Sequence, residues 1–163
     1  MEMVFVGIGS NMDREQNIRI GIAKIRERFG IISLSPVYES RAVGFEGENF
    51  YNLVVGFSTG LAPKQLVIEL HEIESLCKRV RTGPYVGSRS LDLDLLMYGD
   101  LIQQWGRFQV PREEITRYAF VLKPLADIAA NIIHPVLGIS MAELWIKFCD
   151  PEQSIWQVQF NPL

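Results

Sequence analysis

The chain has 163 residues, room for one domain with a sizeable core and cramped for two. Hydrophobic residues make up 48% and charged residues 21%, the balance of an ordinary soluble globular protein. A net charge of −3 argues against a general nucleic-acid binder, whose phosphate contacts need a positive surface excess. Cys77 and Cys149 stand far apart and outside any CxxC pattern, which excludes a disulfide scaffold and gives no zinc spacing. His71 and His134 are equally isolated and read as structural. No basic leader precedes the N-terminal apolar run, and no stretch nears the roughly 18 unbroken apolar residues of a membrane helix. The expectation is a soluble, cytoplasmic, monomeric protein of one domain over residues 1–163, without nucleic-acid or membrane partners.

Met3–Ile8 is a short apolar run ending in Gly9-Ser10-Asn11, which reads as a buried strand entering a turn. Asp13 fits an N-cap. Ile18, Ile22, Ile25 and Phe29 then recur at helical spacing as far as Gly30. Ile31–Tyr38 reads as a second strand and Phe50–Phe57 as a third, separated by a Gly- and Glu-rich loop. Pro63 opens a helix with Leu66, Leu70, Ile73 and Cys77 on its apolar face. An irregular stretch, Arg81–Ser88, leads to a fourth strand, Ser90–Tyr98. Loops marked by Pro111, Pro124 and Pro135 alternate with helices expected around Arg112–Ile115, Ala119–Ala130 and Met141–Phe148. This order predicts an α+β fold, a ferredoxin-like antiparallel sheet with helices packed on its faces in three layers.

Ser90–Tyr98 carries the chemistry. Alternation on a strand points Leu91, Leu93, Leu95 and Met97 one way, and Asp92 and Asp94 the other, roughly 7 Å apart at the backbone. Asp is disfavoured in strands, and two carboxylates on one face repel unless a cation joins them. Hard oxygen ligands of this kind suit Mg²⁺, which takes one or two carboxylates and completes its shell with water and substrate phosphates. A solvated acidic face would carry the same residues.

Lys78, Arg79, Arg81 and Arg89 precede that strand, with Gly83, Pro84 and Gly87 among them. Arginine forks recognise phosphate oxygens, so the cluster and the carboxylates together read as the two halves of a nucleoside triphosphate site. A solvated basic run is the alternative. No GxxxxGK[ST] occurs, and no GxGxxG follows a strand, so phosphate binding falls to side chains and metal. Phe50-Tyr51-Asn52 and Phe120 offer flat rings and an amide for a planar heterocycle, although such residues also serve as simple core.

Four segments carry a resemblance: Val6-Gly7-Ile8-Gly9-Ser10-Asn11; Phe50-Tyr51-Asn52; Gly87-Ser88-Arg89-Ser90-Leu91-Asp92-Leu93-Asp94; and Tyr118-Ala119-Phe120-Val121-Leu122-Lys123-Pro124-Leu125. In order and content they resemble the hydroxymethyldihydropterin pyrophosphokinases of folate biosynthesis. The resemblance implies ATP as donor and a reduced pterin alcohol as acceptor, whose hydroxymethyl oxygen attacks the β-phosphorus and releases AMP. It implies two Mg²⁺ ions on Asp92 and Asp94, Arg79 and Arg89 on the triphosphate, and Arg81 assisting transfer. Glu74 and Leu95 match positions lining the nucleotide site. Asn52, Phe50, Phe120, Ser40 and Val43 match positions at the pterin ring. The sequence departs from the family at Tyr85, where a basic residue is common, and at Val86, where some members have Trp. Arg112 stands for the common His and Tyr118 for the usual Arg, so Arg112 or Arg117 is expected to supply the missing charge. A divergent enzyme for another pterin and a non-catalytic sensor are the competing readings; the two-carboxylate clamp argues against the sensor.

Overall fold

Alternation along the first strand divides the core in two. Val4, Val6 and Ile8 point to one face and Phe5 to the other, all buried. The structure, a computed structural model, describes residues 1–42, 47–77 and 90–163. Val43, Lys78, Arg79, Arg81, Arg89 and the irregular stretch Arg81–Ser88 lie outside the described residues.

In chain order the elements are β1 (Glu2–Ser10), α1 (Arg14–Phe29), β2 (Ile32–Leu34), β3 (Val37–Ser40), β4 (Phe50–Thr59), α2 (Pro63–Cys77) and β5 (Asp92–Tyr98). There follow β6 (Gln103–Trp105), β7 (Phe108–Val110), α3 (Glu114–Arg117), α4 (Ala119–Ile128), α5 (Met141–Lys147) and β8 (Ile155–Val158). The fold is α+β. One antiparallel sheet runs β5-β1-β4-β3-β8, with β2 also paired to β4, and β6-β7 form a separate hairpin.

The helical periodicities place the helices. Ile18, Ile22 and Ile25 of α1 and Leu66, Leu70, Ile73 and Cys77 of α2 are buried in one core with Val4, Val6 and Ile8. Ile115, Leu122, Leu125, Ala126 and Met141, from α3 to α5, form the other core with Phe5 and Val54. Gly30 ends α1 at φ 84°, a conformation that costs glycine least. His134 is buried with Nδ1 accepting the N–H groups of Val136 and Leu137, both at 3.2 Å, and burial pushes its pKa down. Both are structural duties for that ring. Neither cysteine is in a disulfide.

Several expectations need correction. The strand expected over Ile31–Tyr38 breaks at Ser35-Pro36, because proline has no N–H for a ladder. Ser35 takes over the pairing there: its N–H donates to the Val54 carbonyl at 2.9 Å, and its Oγ accepts from Val54 N–H at 2.8 Å. Met97 does not share the face of Leu91, Leu93 and Leu95. The register of β5 on β1 shifts between Phe5 and Val6, so Leu96 and Met97 both join the second core. Pro124 sits inside α4 rather than in a loop, deleting the bond that the Phe120 carbonyl would otherwise accept. Asp13 does precede α1, but its carbonyl accepts Asn17 N–H at 2.9 Å and its side chain makes no cap bond. The β6-β7 hairpin and β8 were not anticipated; each strand has only three or four residues. Gly106 at φ 53° makes the hairpin turn, and Trp105 stacks on Phe108 across it.

Leu70 is 1% exposed. Leu70→Ala should therefore cost about 2–5 kcal/mol through lost transfer energy and a residual cavity. Urea unfolding checks this, with the midpoint falling and the slope unchanged.

Candidate active site

A cleft of about 340 Å³ opens on the α4 side of the sheet, and β1 forms its floor. Pairing fixes who stands beside whom. Gly9 of β1 lies between Asp92 of β5 and Asn52 of β4, and Gly7 lies between Asp94 and Val54. The backbones of Asp92 and Asn52 are thus two strand spacings apart, roughly 9–10 Å, with glycine between them. A Cβ at Gly9 would sit 2.8 Å from Asn52 Oδ1, closer than such contacts are found, so the floor requires glycine there.

The Ser10-Asn11 turn ties the two walls together. Buried Ser10 donates its hydroxyl to the Ser90 carbonyl at 2.5 Å, and buried Asn11 donates Nδ2 to the Glu48 carbonyl at 3.3 Å. The first bond steadies the approach to Asp92, the second the approach to Phe50. On the β4 side, Asn52 Nδ2 donates to Ser40 Oγ at 3.3 Å, and both residues are buried. Phe50 and Phe120, far apart in the sequence, line the same cleft. Tyr118 stacks on Phe120 with centroids 5.1 Å apart and also faces the cleft.

Arg112 completes the acidic side. Its N–H donates to the Leu96 carbonyl at 3.0 Å, which docks the segment after Pro111 against β5. Its Nη1 lies 4.0 Å from Asp94 Oδ1, and its Nε donates to Glu114. Arg117 instead pairs with Glu113 at 3.0 Å, its side chain 61% exposed, and does not line the cleft. The Asp94 carboxyl has its pKa raised by desolvation from the cleft walls; Arg112 opposes this, Glu114 adds to it, and His71 opposes it. Its side chain is nonetheless 54% exposed, open to an incoming ligand.

The remaining expected residues lie behind β5. Glu74 Oε2 accepts the N–H of Leu93 at 3.1 Å, while exposed His71 stands 3.8 Å from the same carboxylate. The side chain of Leu95 is buried in the core with α1 and α2, on the opposite face from the two aspartates. Arg41, Glu114, Tyr118 and Val121 also line the cleft and were not among the expected site residues. For Glu114 a signal existed: it follows Arg112 by two residues, within a segment where a cationic substitution was already evident.

Among the described residues no group of three or more His, Cys, Asp or Glu side chains could cage a metal ion. Two carboxylates in a half-open cleft fit a cation that keeps water and phosphate oxygens in its shell, as Mg²⁺ does.

Residues 5–130 match the model of the 7,8-dihydro-6-hydroxymethylpterin-pyrophosphokinase family. The chain belongs to this family. It is 36% identical over 138 residues to the 2-amino-4-hydroxy-6-hydroxymethyldihydropteridine pyrophosphokinase of Aquifex aeolicus, covering 83% of this chain and 86% of that one. It is 30% identical to the Haemophilus influenzae pyrophosphokinase, covering 99% of this chain and 100% of the other. The folic acid synthesis protein fol1 of Pneumocystis carinii is 36% identical over 152 residues, but the chain spans only 20% of its length. A solved HPPK-DHPS from Plasmodium falciparum, with pteroate, superimposes with a TM-score of 0.72 at 15% identity, over 90% of this chain and 42% of the other. That likeness concerns the fold.

The raised Asp94 pKa sets a sign. A carboxyl whose folded-state pKa lies above its unfolded value holds its proton more tightly when folded, so ionising it costs stability. The cost is absent at low pH, grows as pH rises through the usual carboxylate range, and is complete above the folded pKa. Asp94→Asn should therefore raise the metal-free melting temperature at neutral pH, with the gain shrinking as pH falls below that range. Thermal melts of both proteins across pH check this.

Proposed function

We propose that Asp92 and Asp94 hold two Mg²⁺ ions between ATP and a reduced pterin alcohol, and that the glycine floor seats the acceptor beside them. The activity itself follows from the family: the chain is an ATP-dependent pyrophosphokinase that transfers the pyrophosphoryl group to 6-hydroxymethyl-7,8-dihydropterin, a step of folate biosynthesis. The observation that carries the site is the row Asp92–Gly9–Asn52. The Asp92 carboxylate and the Asn52 amide share one face across Gly9, a spacing that would suit a metal-bound phosphate beside a bicyclic ring with its hydroxymethyl arm.

In this reading Phe50 and Phe120 flank the ring, while Asn52 and Ser40 read its polar edge. Val43 is included on its place in the family pattern. The hydroxymethyl oxygen forms a bond to the β-phosphorus of ATP as the bond from that phosphorus to the α–β bridging oxygen breaks; AMP leaves with the bridging oxygen, and the hydroxyl proton is released to solvent. The metal ions, when bound, neutralise charge building on the phosphate oxygens. Arg112 reaches the cleft, and we take it, rather than Arg117, as the cation that supplies the charge missing where Tyr118 stands for the usual family Arg. Arg79, Arg81 and Arg89 join the triphosphate site on their place in the family motif. Glu74 holds β5 in place through Leu93. With its side chain in the core, Leu95 meets the nucleotide only through main chain, at the outer strand of the sheet.

We further read the architecture as ferredoxin-like. The strand order β5-β1-β4-β3, with α1 and α2 sharing one face, supports that description, and α3 to α5 on the other face make a third layer. One cytoplasmic, monomeric domain over residues 1–163 belongs to the same proposal. Further activities of longer relatives such as fol1 are those proteins' own.

A coupled assay with Mg-ATP and hydroxymethyldihydropterin tests the activity: AMP and a diphosphorylated pterin are expected, whereas ADP would overturn pyrophosphoryl transfer. Asp92→Ala and Asp94→Ala should each lower kcat/KM on the order of 10³-fold, about 4 kcal/mol of transition-state stabilisation. Gly9→Ala, which crowds Asn52, should weaken pterin binding about tenfold or more, from the loss of about one charge-free hydrogen bond and ring fit, while nucleotide binding holds. Titration calorimetry with each ligand separates the two.

A further inference from the structure

The wall that carries Phe50, Asn52 and Ser40 is held from behind. Tyr51 stands between Phe50 and Asn52 on β4, so alternation turns it to the opposite face of the sheet. There the Arg14 guanidinium, from the first turn of α1, lies 4.0 Å from the Tyr51 ring centroid. Phe160 contacts the same ring at 5.9 Å. Arg14 Nη1 also donates to the Asn49 carbonyl at 2.9 Å and to Glu39 Oε2 at 3.4 Å. Asn49 Nδ2 donates to that same Glu39 oxygen at 3.4 Å. Glu39 sits opposite Tyr51 in the β3–β4 register, one residue before Ser40.

One arginine therefore grips the main chain just before Phe50, the ring just after it, and the strand that carries Ser40. The Arg14 and Glu39 side chains are only 25% and 18% exposed, so water screens this pair less than an ordinary surface pair. Two of the three contacts fall on Asn49 and Tyr51 and the third on Glu39, which pairs with Tyr51 across β3 and β4, so a small rotation of β4 that would swing the Phe50 ring and the Asn52 amide together must break them.

We propose that Arg14 is a positioning residue for the acceptor wall: it fixes Asn49–Asn52 against β3 and so holds Phe50 and Asn52 in place for the planar acceptor, without touching it. The inference rests on the pterin reading of the cleft. Its reach is limited to one side of the site, because β1 stands between β5 and the β3–β4 pair that this latch holds.

The test is steady-state kinetics of the full chain with Mg-ATP and hydroxymethyldihydropterin, for the wild type, Arg14→Ala and Arg14→Lys. Arg14→Ala should raise KM for the pterin about tenfold, the scale of one charge-assisted hydrogen bond. KM for ATP and kcat at saturating pterin should stay within about twofold. Arg14→Lys keeps the charge over Tyr51 but loses the fork, and should fall between. An unchanged pterin KM overturns the proposal, as does a parallel loss in both KM values and kcat. Should Arg14→Ala not fold, Glu39→Gln, which removes the carboxylate that anchors Arg14, should give the same split, and equal kinetics there overturn it. Hydrogen exchange in the same proteins needs no ligand. Amides of residues 49–52 should exchange about tenfold faster in Arg14→Ala, the equivalent of about 1.4 kcal/mol of local opening. Unchanged exchange sinks the latch even if the acceptor proves to be something other than a pterin, whereas faster exchange with no pterin binding by the wild type would indict the functional reading alone.

Discussion

The acceptor side of the site depends on the absence of a side chain at Gly9. β1 is a central strand whose neighbours carry the carboxylates on one side and the amide on the other. Any larger residue there would drive into Asn52 Oδ1. Glycine weakens a strand interior, and the sheet compensates locally: Val4, Val6 and Ile8 fill the opposite face completely, and the Ser10 and Asn11 side chains brace the turn that follows. A well-packed back thus supports an open front, and one strand serves both.

The two faces divide the labour. The core with α1 and α2 is built on closely packed aliphatic side chains and fixes where each strand lies. The face under α4 is filled at one end by Phe5, Leu96 and Leu125, and left open at the other, where Phe120 and Val121 project from the start of α4. Positions Val54 and Leu96 belong to both core and cleft, so the depth of the pocket is set by the packing of the hydrophobic layer itself. The proposed transfer asks for positioning and charge neutralisation rather than for a covalent intermediate, and a rigid floor with charged groups at its rim suits that demand.

Much of this was legible in the sequence. Strict spacing gave the faces of α1 and α2, because burial of Ile18, Ile22, Leu66 and Leu70 follows from helical period alone. Alternation set Asp92 and Asp94 on one face, since a strand has no other way to display them. What escaped had local causes. Met97 defied its alternation because a register shift in β5 lies outside any residue pattern. β6, β7 and β8 are too short to show a period of two. The meeting of Phe50 with Phe120, and the choice of Arg112 over Arg117, are tertiary facts: both arginines sit near Tyr118 in sequence, and only the docking of residue 112 on Leu96 separates them.

The shift in β5 and the Glu74 bond to Leu93 have a consequence beyond the cleft. β5 is the outermost strand on its side, where unpaired main-chain groups invite another chain to add itself to the sheet. A side-chain carboxylate occupies the Leu93 N–H, a register shift interrupts the row at Leu96, and Asp92 and Asp94 stud the strand with carboxylates. Intermolecular β-pairing is discouraged three times over on the strand that the proposed chemistry most needs to keep uncovered.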